Sequence, residues 1–337
     1  MTLVAIAFVV LGLQAVAQAA CSRRDARRFP APGRRVGTTD CQFHALAMGT
    51  GRPAVVLEAG ISNSCLNWSL VQPQLAGFTT TYAYDRSGLG WSALSDQPPY
   101  LQNLASGLHA MIDCLNASRP YILVAHSFGA YILLAYLQGF VDQGEGKNQI
   151  AGIVLVDPLT PEEWVQPTVW QRFRVFRAVW FTRAAGILAT LGVSRFLLWL
   201  LRIGDREPSR FLRAVMRTTR TGERILNELT KLPLSVRRLI RVHWSSPRFF
   251  WTMANQIQAL PQCAREASCC SIPSHIPVTV ISGIHHPPEI LANHAAIATR
   301  SQHGKHIIAK KSAHWVQFDE PEIIVEAVRE IAANSRS

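Results

Sequence analysis

Six short apolar runs, each ending in turn or polar residues, alternate with helix-length segments along this chain. The runs are short enough for buried strands and too short for buried helices. They occupy Ala54–Glu58, Thr79–Tyr84, Tyr121–Ala125, Ile150–Val156, Val278–Ile281 and His306–Ala309. Strands that alternate with helices imply right-handed crossovers and a mostly parallel sheet with helices on both faces. The order therefore predicts an α/β fold whose ligands bind beyond the carboxyl ends of the strands.

The segment between the fourth and fifth runs, residues 158–273, breaks this alternation. It has no strand-like pattern, is helical in its apolar spacing and carries six of the nine tryptophans. Within it, Trp170–Arg248 holds 17 Lys and Arg against 4 Asp and Glu, while the whole chain has a net charge of +12. We expect a basic helical insertion that is either a solvated surface or a docking face for an anionic membrane. Nucleic acid is not an expected partner, because no nucleic-acid-binding motif accompanies the charge.

The first 35 residues differ in composition from the rest of the chain. Thr2–Leu13 is an apolar run, and Ala17-Gln18-Ala19 resembles the small-residue cleavage site of a signal peptide. Six arginines follow the apolar run, between Arg23 and Arg35, and this distribution favours an uncleaved anchor instead. We expect residues 1–20 to be a signal peptide or a membrane anchor and residues 21–35 to be a basic linker. The protein is then either exported, to the periplasm or the medium, or anchored to the membrane.

Composition and missing motifs exclude several classes of protein. Hydrophobic residues make up 48% and charged residues 17%, a balance that supports a large core and excludes a disordered chain. Beyond the N-terminus, no stretch offers the roughly 18–20 apolar residues of a membrane span. The seven cysteines match no zinc-ligand spacing, and no phosphate-binding loop, dinucleotide fingerprint or H-E-x-x-H motif is present. We therefore expect no cofactor and no metal.

The pentapeptide Ala125-His126-Ser127-Phe128-Gly129 directly follows the third strand-like run and opens a helical pattern. This is the context of a nucleophile elbow, a strained strand-to-helix turn that exposes a serine hydroxyl above the sheet. The flanking positions must be small because the strand and the helix nearly touch there. Gly129 meets this requirement, and Ala125 replaces the usual glycine by a single methyl group. Ser127 is therefore the candidate nucleophile.

Together with the elbow, four further blocks occur in an order that resembles the α/β-hydrolase superfamily, in particular its serine-dependent members with a helical cap. The five blocks are LEAGI at Leu57–Ile61, YDRSGLGWS at Tyr84–Ser92, AHSFG at Ala125–Gly129, VLVDP at Val154–Pro158 and SAHW at Ser312–Trp315. The resemblance extends from about Arg34 to the C-terminus, apart from the insertion. It implies an α/β-hydrolase core at 36–157 and 274–337, with a helical cap or lid at 158–273.

The resemblance also implies a catalytic triad. A serine hydroxyl needs a base to take its proton, and His314 lies after the last strand, where the family places its triad histidine. Members commonly place the acid after the preceding strand, where this chain has only Glu289. Asp157, at the end of the strand after the elbow helix, occupies the family's other known location. We favour Asp157 as the acid, with Glu289 as the alternative and a helix cap as another role for Asp157.

By the same resemblance, two backbone N–H groups form an oxyanion hole. One belongs to Phe128, the residue after the nucleophile. The other belongs to Ile61, because Ala59-Gly60-Ile61 replaces the family's usual His-Gly-x. His126 is expected to be structural, and Asp85 and Arg86 are expected to pair with each other beneath the site.

These residues predict a serine hydrolase that cleaves a carboxylic ester or a related acyl substrate through an acyl-enzyme on Ser127. Family members that hydrolyse epoxides or haloalkanes use a carboxylate nucleophile, and position 127 is a serine. Two alternatives stay open. One is an acyltransferase or cofactor-free peroxidase that uses the same triad. The other is a catalytically silent, membrane-tethered binding protein with the hydrolase fold.

Overall fold

The computed structural model of the chain describes residues 2–37, 42–116, 119–141, 149–204, 214 and 220–335. Its centre is an eight-stranded sheet with the strand order β1-β2-β4-β3-β5-β6-β7-β8. The strands are β1 Arg34–Gly37, β2 Gln42–Met48, β3 Ala54–Glu58, β4 Thr81–Asp85, β5 Tyr121–His126, β6 Ile150–Val156, β7 Val278–Gly283 and β8 Gly304–Ala309. The β2 strand pairs antiparallel with β1 and β4, and all the other neighbours are parallel. The expected α/β-hydrolase fold, with its mostly parallel sheet, is confirmed.

All six strand-like runs of the sequence form strands, with ends that shift by two residues at most. The antiparallel pair β1 and β2 was not anticipated from the sequence. Two of the four residues of β1 are arginines, so neither periodicity nor hydrophobicity marks it as a strand. The β2 strand is also held by a residue distant in the sequence, since the backbone N–H of His44 donates to Ser92 Oγ over 2.7 Å.

Helices pack on the sheet, and in the segment 158–273 the described elements are helices and turns without a strand. Their bounds are α1 Thr2–Arg28, α2 Gln72–Leu75, α3 Leu101–Leu115, α4 Gly129–Tyr136, α5 Val169–Thr190, α6 Val193–Leu200, α7 Arg220–Lys231, α8 Leu234–Trp244, α9 Pro247–Ser268, α10 Pro288–Ala298, α11 Val316–Asp319 and α12 Pro321–Asn334. The expected basic linker at 21–35 is helical as far as Arg28, and β1 begins at Arg34.

The chain divides into two compact units. The sheet unit comprises residues 33–173 and 256–337, and the helical unit comprises residues 1–32 and 174–255. Both boundaries in the second half of the sequence lie inside the expected cap at 158–273. The N-terminal helix belongs to the helical unit rather than standing apart from it.

The core of the sheet unit is formed by the parallel strands and the helices packed on them. Strands β3, β5 and β7 are buried at every position, which is why their sequences are continuous apolar runs rather than alternating ones. The α3 helix buries one face, with Leu108 and Met111 fully inaccessible. This packing holds the carboxyl ends of β3, β5, β6, β7 and β8 at one edge of the sheet.

In the helical unit, Val4–Arg28 of α1 is long and apolar enough to cross a membrane. Signal sequences share this property, so length and composition are compatible with both a signal sequence and an anchor. Helices α5 and α6 pass the same test only when taken together, and they are bent by 90° where they meet.

Candidate functional site

Ser127 lies in the turn between β5 and α4 with a φ of +54°, in the left-handed region that side chains other than glycine rarely adopt. The turn is held by the main chain. The Ser127 N–H donates to Val156 O over 3.0 Å, and Ser127 O accepts from Leu159 N over 3.2 Å. Because His126 and Val156 are paired in the sheet, the residues that follow them, Ser127 and Asp157, leave adjacent strand ends.

The close approach expected at the elbow is present on the helix side. A Cβ placed on Gly129 would lie 2.9 Å from Glu58 Cγ and 3.0 Å from the carbonyl oxygens of Glu58 and Ala59. The end of β3 therefore leaves no room for a side chain at position 129. Ala125 is fully buried within β5, so its methyl group is accommodated by the packing.

Asp157 occupies the corresponding position after β6, and it also has a positive φ, +44°. Its side chain is almost completely buried and accepts several hydrogen bonds. Its Oδ1 accepts from the Gly283 N–H over 2.8 Å, and its Oδ2 lies 2.6 Å from Nδ1 of His314. Burial alone would raise the pKa of Asp157, but the hydrogen bonds from His286 and His314 outweigh it and hold the pKa below its usual range. Asp157 is therefore an anion that orients the imidazole groups around it.

His314 lies in the loop between β8 and α11, and its side chain is 30% exposed. A carboxylate can only accept, so the bond to Asp157 requires a proton on His314 Nδ1. The other ring nitrogen, Nε2, is then the one that can accept a proton from a nucleophile. The structure thus brings His314 and Asp157 together with the tautomer that general-base catalysis requires.

His126 supports the His314 loop from the position just before Ser127. Its Nε2 donates to the backbone carbonyl of His314 over 2.9 Å, and the centroids of the two rings are 4.7 Å apart. Burial, together with repulsion from His314, lowers the pKa of His126 to about 3, so the ring is neutral. This geometry agrees with the structural role expected for His126.

His286 was not among the site residues anticipated from the sequence. Its Nε2 lies 2.7 Å from Oδ1 and 2.8 Å from Oδ2 of Asp157. The signal was the His285-His286 pair after the strand now identified as β7, but histidine pairs are common in loops and nothing in the sequence links this one to Asp157. The carboxylate is therefore shared between two histidines.

Glu289, the alternative acid, lies elsewhere. It is exposed in the first turn of α10, and it forms no hydrogen bond or ion pair with His314, both residues being within the described part of the chain. The geometry favours Asp157 for orienting His314.

Ile61, whose backbone N–H is the second oxyanion donor expected from the sequence, lies in the loop after β3. Among the described residues, the backbone N–H groups of Ile61 and Phe128 have no hydrogen-bond partner. The loop itself is held from behind, because Arg86 donates to the carbonyl oxygens of Ala59 and Gly60. Unpartnered backbone N–H groups are the kind of donor that an oxyanion hole uses.

The expected pairing of Asp85 with Arg86 is wrong. Arg86 forms an ion pair with Glu58, and both side chains are buried. Asp85 instead lies 2.8 Å from Nδ1 of His44 and accepts from the Cys65 N–H over 2.7 Å. Consecutive residues of a strand point to opposite faces, so neighbours in sequence seldom pair with each other.

Among the residues that the structure describes, two groups of side chains have ligand-type atoms close enough for a metal ion. They are Asp157 with His286 and His314, and the buried set of His44, Cys65 and Asp85. In both groups the closest contacts are hydrogen bonds between an imidazole and a carboxylate, which already satisfy the atoms concerned.

Comparisons with known proteins agree with this architecture. A family model described as the alpha/beta hydrolase family matches residues 55–327. The protein YqjL of Bacillus subtilis (strain 168) is 28% identical over 119 residues, which are 35% of this chain and 45% of that protein. An AB hydrolase superfamily protein of Gibberella zeae is 27% identical over 107 residues, 32% of each chain. The chain thus aligns with less than half the length of these curated relatives.

Solved structures share the fold at low sequence identity. An esterase from Thermogutta terrifontis has a TM-score of 0.57 at 16% identity, covering 90% of this chain and 99% of that one. An alpha/beta hydrolase fold protein from Burkholderia ambifaria has a TM-score of 0.59 at 23% identity, covering 88% and 97%. A putative epoxide hydrolase from Pseudomonas aeruginosa has a TM-score of 0.61 at 18% identity, covering 90% and 95%. With a family model that spans most of its length and an elbow at the expected strand end, this chain belongs to the alpha/beta hydrolase family.

Proposed function

We propose that the protein is a serine hydrolase that cleaves carboxylic esters, or closely related acyl compounds, through an acyl-enzyme on Ser127. The observation that carries this proposal is the 2.6 Å contact between His314 Nδ1 and Asp157 Oδ2, next to a serine in an elbow turn. Membership of the family supports a hydrolase. The choice of ester over epoxide rests on the side chain at the elbow.

The first half of the reaction transfers the acyl group to the enzyme. Ser127 Oγ attacks the carbonyl carbon while His314 Nε2 takes the hydroxyl proton. The negative charge that develops on the carbonyl oxygen is stabilised by the N–H groups of Ile61 and Phe128. Asp157 stabilises the imidazolium without becoming protonated itself. The alcohol then leaves and takes the proton from His314, and the acyl group remains on Ser127.

The second half returns the enzyme to its starting state. A water molecule gives a proton to His314 Nε2 and attacks the acyl carbon. The bond to Ser127 Oγ then breaks, and the serine recovers its proton from His314. The products are one carboxylic acid and one alcohol, and the cycle requires no cofactor.

An epoxide-opening reaction of the kind named for the Pseudomonas aeruginosa structure is the competing activity. By the family resemblance, such enzymes attack with a carboxylate at the elbow. Position 127 offers a hydroxyl instead, and Asp157 is engaged with two histidines. Both observations support acyl transfer.

The test combines activity with active-site labelling. We expect the wild-type protein to hydrolyse short-chain p-nitrophenyl esters and to be labelled by a fluorophosphonate on Ser127, as located by mass spectrometry. Ser127→Ala should lose both properties with an unchanged melting temperature. Ser268→Ala, which removes an exposed hydroxyl elsewhere, is the matched control and should keep both.

Three results would overturn the proposal. One is ester hydrolysis that persists in Ser127→Ala, and another is turnover of epoxides but not of esters. The third is the absence of both labelling and hydrolysis in a folded wild-type protein, which would instead support a catalytically silent binding protein.

A further inference from the structure

The α5 helix of the helical unit has its small residues inside and its large apolar residues outside. The buried residues described in α5 are Thr182, Gly186 and Ala189. A Cβ placed on Gly186 would lie 3.2 Å from the indole of Trp251, so the helix packs closely through this side. Phe176, Trp180, Phe181, Ile187 and Leu188 are all between 46% and 66% exposed. A helix that packs against a water-soluble core shows the reverse arrangement.

The α1 helix, in the same unit, shows the same inversion. Its exposed side chains include Val4, Ile6, Phe8 and Leu13, whereas Gln18 is the buried one among the side chains described in α1. Gln18 Nε2 donates to the carbonyl of Ser245 over 2.8 Å. The apolar surface of α1 thus has no cover within the described chain, and its polar positions make the contacts.

Arg195 in α6 is the main partner of these polar positions. Its Nε donates to Gln18 Oε1 over 2.8 Å, and its guanidinium forms an ion pair with Asp25. Ser22 Oγ accepts from the same side chain over 3.4 Å. Gln18, Ser22 and Asp25 are spaced four and three residues apart and therefore lie on one face of α1.

The rest of α6 continues the outward-facing apolar surface. None of its residues is buried, and Phe196, Leu197, Trp199 and Leu200 are all between 44% and 65% exposed. Arg195 faces α1 while these four side chains do not contribute to a core. Three helices of one unit therefore present aromatic and branched side chains outward.

The charge of the unit indicates what covers this surface. The basic excess of the chain lies in Trp170–Arg248, and most of that segment belongs to the helical unit. A second copy would bring an equally basic block against the first and be repelled, whereas anionic head groups would be attracted. Small residues at helix contacts and large apolar ones outside are also the arrangement found where the surroundings are lipid.

We propose that the helical unit is embedded in the surface of an anionic phospholipid bilayer through α1, α5 and α6, and that α1 is retained in the working protein as an anchor. Trp180, Trp199 and their apolar neighbours lie at the level of the acyl chains next to the head groups, and the arginines contact the phosphates. The bend between α5 and α6 fits a pair lying at the interface better than a straight span.

Retention of α1 follows from its contacts. Cleavage after Ala19 or Ala20 would remove Gln18, the buried residue that joins Arg195 to Ser245. It would also cut α1 in the middle, since the helix is continuous from Thr2 to Arg28. A signal sequence that is removed would not be expected to form buried polar contacts with the folded chain.

The first test measures tryptophan depth with the whole chain. The protein is added to vesicles of three parts phosphatidylcholine to one part phosphatidylglycerol, with or without brominated acyl chains. We expect brominated lipid to quench part of the tryptophan fluorescence. The quenched fraction should fall at least about twofold in the Trp180→Phe/Trp199→Phe variant. Trp91→Phe in the sheet unit is the matched control and should leave the quenched part unchanged.

Three outcomes would overturn the lipid surface. The fraction of tryptophan emission quenched by brominated lipid could be equal in the double variant and the control. Binding could be as tight to phosphatidylcholine alone and insensitive to salt, which would remove the anionic component. Finally, the protein could self-associate without lipid and show no quenching with it, which would identify a second copy as the cover.

The second test addresses the anchor. The chain is produced in cells, and the intact mass of the protein recovered from their membranes is measured. We expect a mass that includes residues 2–28. A protein that begins at Ala20 or Cys21 would show that α1 is a cleaved signal sequence. Neither test depends on ester hydrolysis, so the fate of this proposal is independent of the catalytic one.

Discussion

His286 Nε2 lies within 2.8 Å of both carboxylate oxygens of Asp157, so the carboxylate that orients His314 is also held by a second imidazole. A buried carboxylate that loses one donor keeps the cost of its desolvation. We therefore expect His286→Ala to lower the free energy of unfolding by about 1–3 kcal/mol, measured by urea denaturation. His285→Ala, at the exposed neighbouring position, should be close to neutral. Equal effects of the two substitutions would mean that the contact does not stabilise the fold.

The acid is tested by two isosteric substitutions. Asp157→Asn removes the charge and can present an N–H to His314, which would favour the wrong tautomer of the imidazole. We expect kcat for ester hydrolysis to fall by about 10³–10⁴-fold, by analogy with triad enzymes in general. Glu289→Gln is the matched control, and it should retain kcat within about twofold because the side chain is exposed and away from His314. A large loss in Glu289→Gln and none in Asp157→Asn would transfer the role to Glu289.

The elbow predicts a steric effect at Gly129. A methyl group there would lie 2.9–3.0 Å from Glu58 Cγ and two backbone oxygens, so strand β3 or helix α4 must shift. Gly129→Ala should cost about 1–3 kcal/mol of folding free energy, even though alanine favours helix more than glycine does. Gly139→Ala serves as the control, since nothing lies within 4 Å of a Cβ at that position. Urea unfolding of the two variants tests this prediction. A Gly129→Ala variant with the unfolding free energy of the wild type would contradict the close approach.

The buried histidine at the elbow predicts how stability changes with pH. The pKa of His126 is lowered to about 3, first by burial and then by repulsion from His314, whereas an unfolded histidine titrates near pH 6.5. Below pH 6.5 the unfolded chain therefore binds a proton that the native state does not. The free energy of unfolding is therefore highest above pH 6.5. It falls as the pH drops towards 3, by at most about 1.4 kcal/mol per pH unit.

His126→Gln isolates this contribution. Glutamine can still donate to the His314 carbonyl but does not titrate, so unfolding free energies measured in urea between pH 6.5 and pH 4.5 should fall less steeply than in wild type. The low pKa of Asp157 lowers stability mainly below about pH 5, where the unfolded carboxyl begins to take up protons, and it does so in both wild type and variant. His275→Gln, at an exposed position, should leave the wild-type slope unchanged. Identical slopes in wild type and His126→Gln would show that His126 is not buried in its neutral form.

Much of the fold could be predicted from local patterns in the sequence. Strands β3, β5 and β7 are buried at every position, so each is a nearly continuous apolar run, and the apolar spacing between β6 and β7 is helical instead. The elbow was predictable for the same reason, because a small residue must stand where α4 meets β3, and Gly129 does. The β1–β2 pair could not be predicted, since an arginine-rich edge strand is stabilised by its neighbours rather than by its own hydrophobicity.

The sequence by itself determined the position of the elbow turn at Ser127 and the order of the blocks, because these depend on residues close together in the chain. The tertiary structure decided the rest of the site. Asp157 and His314 are 157 residues apart, and His286 joins them from a third strand end, so only the arrangement of β6, β7 and β8 places the three side chains together. The inverted faces of α1 and α5 were likewise decided in three dimensions. An apolar helix has the same composition whether its large side chains face a core or face outward, and the contacts it makes determine which.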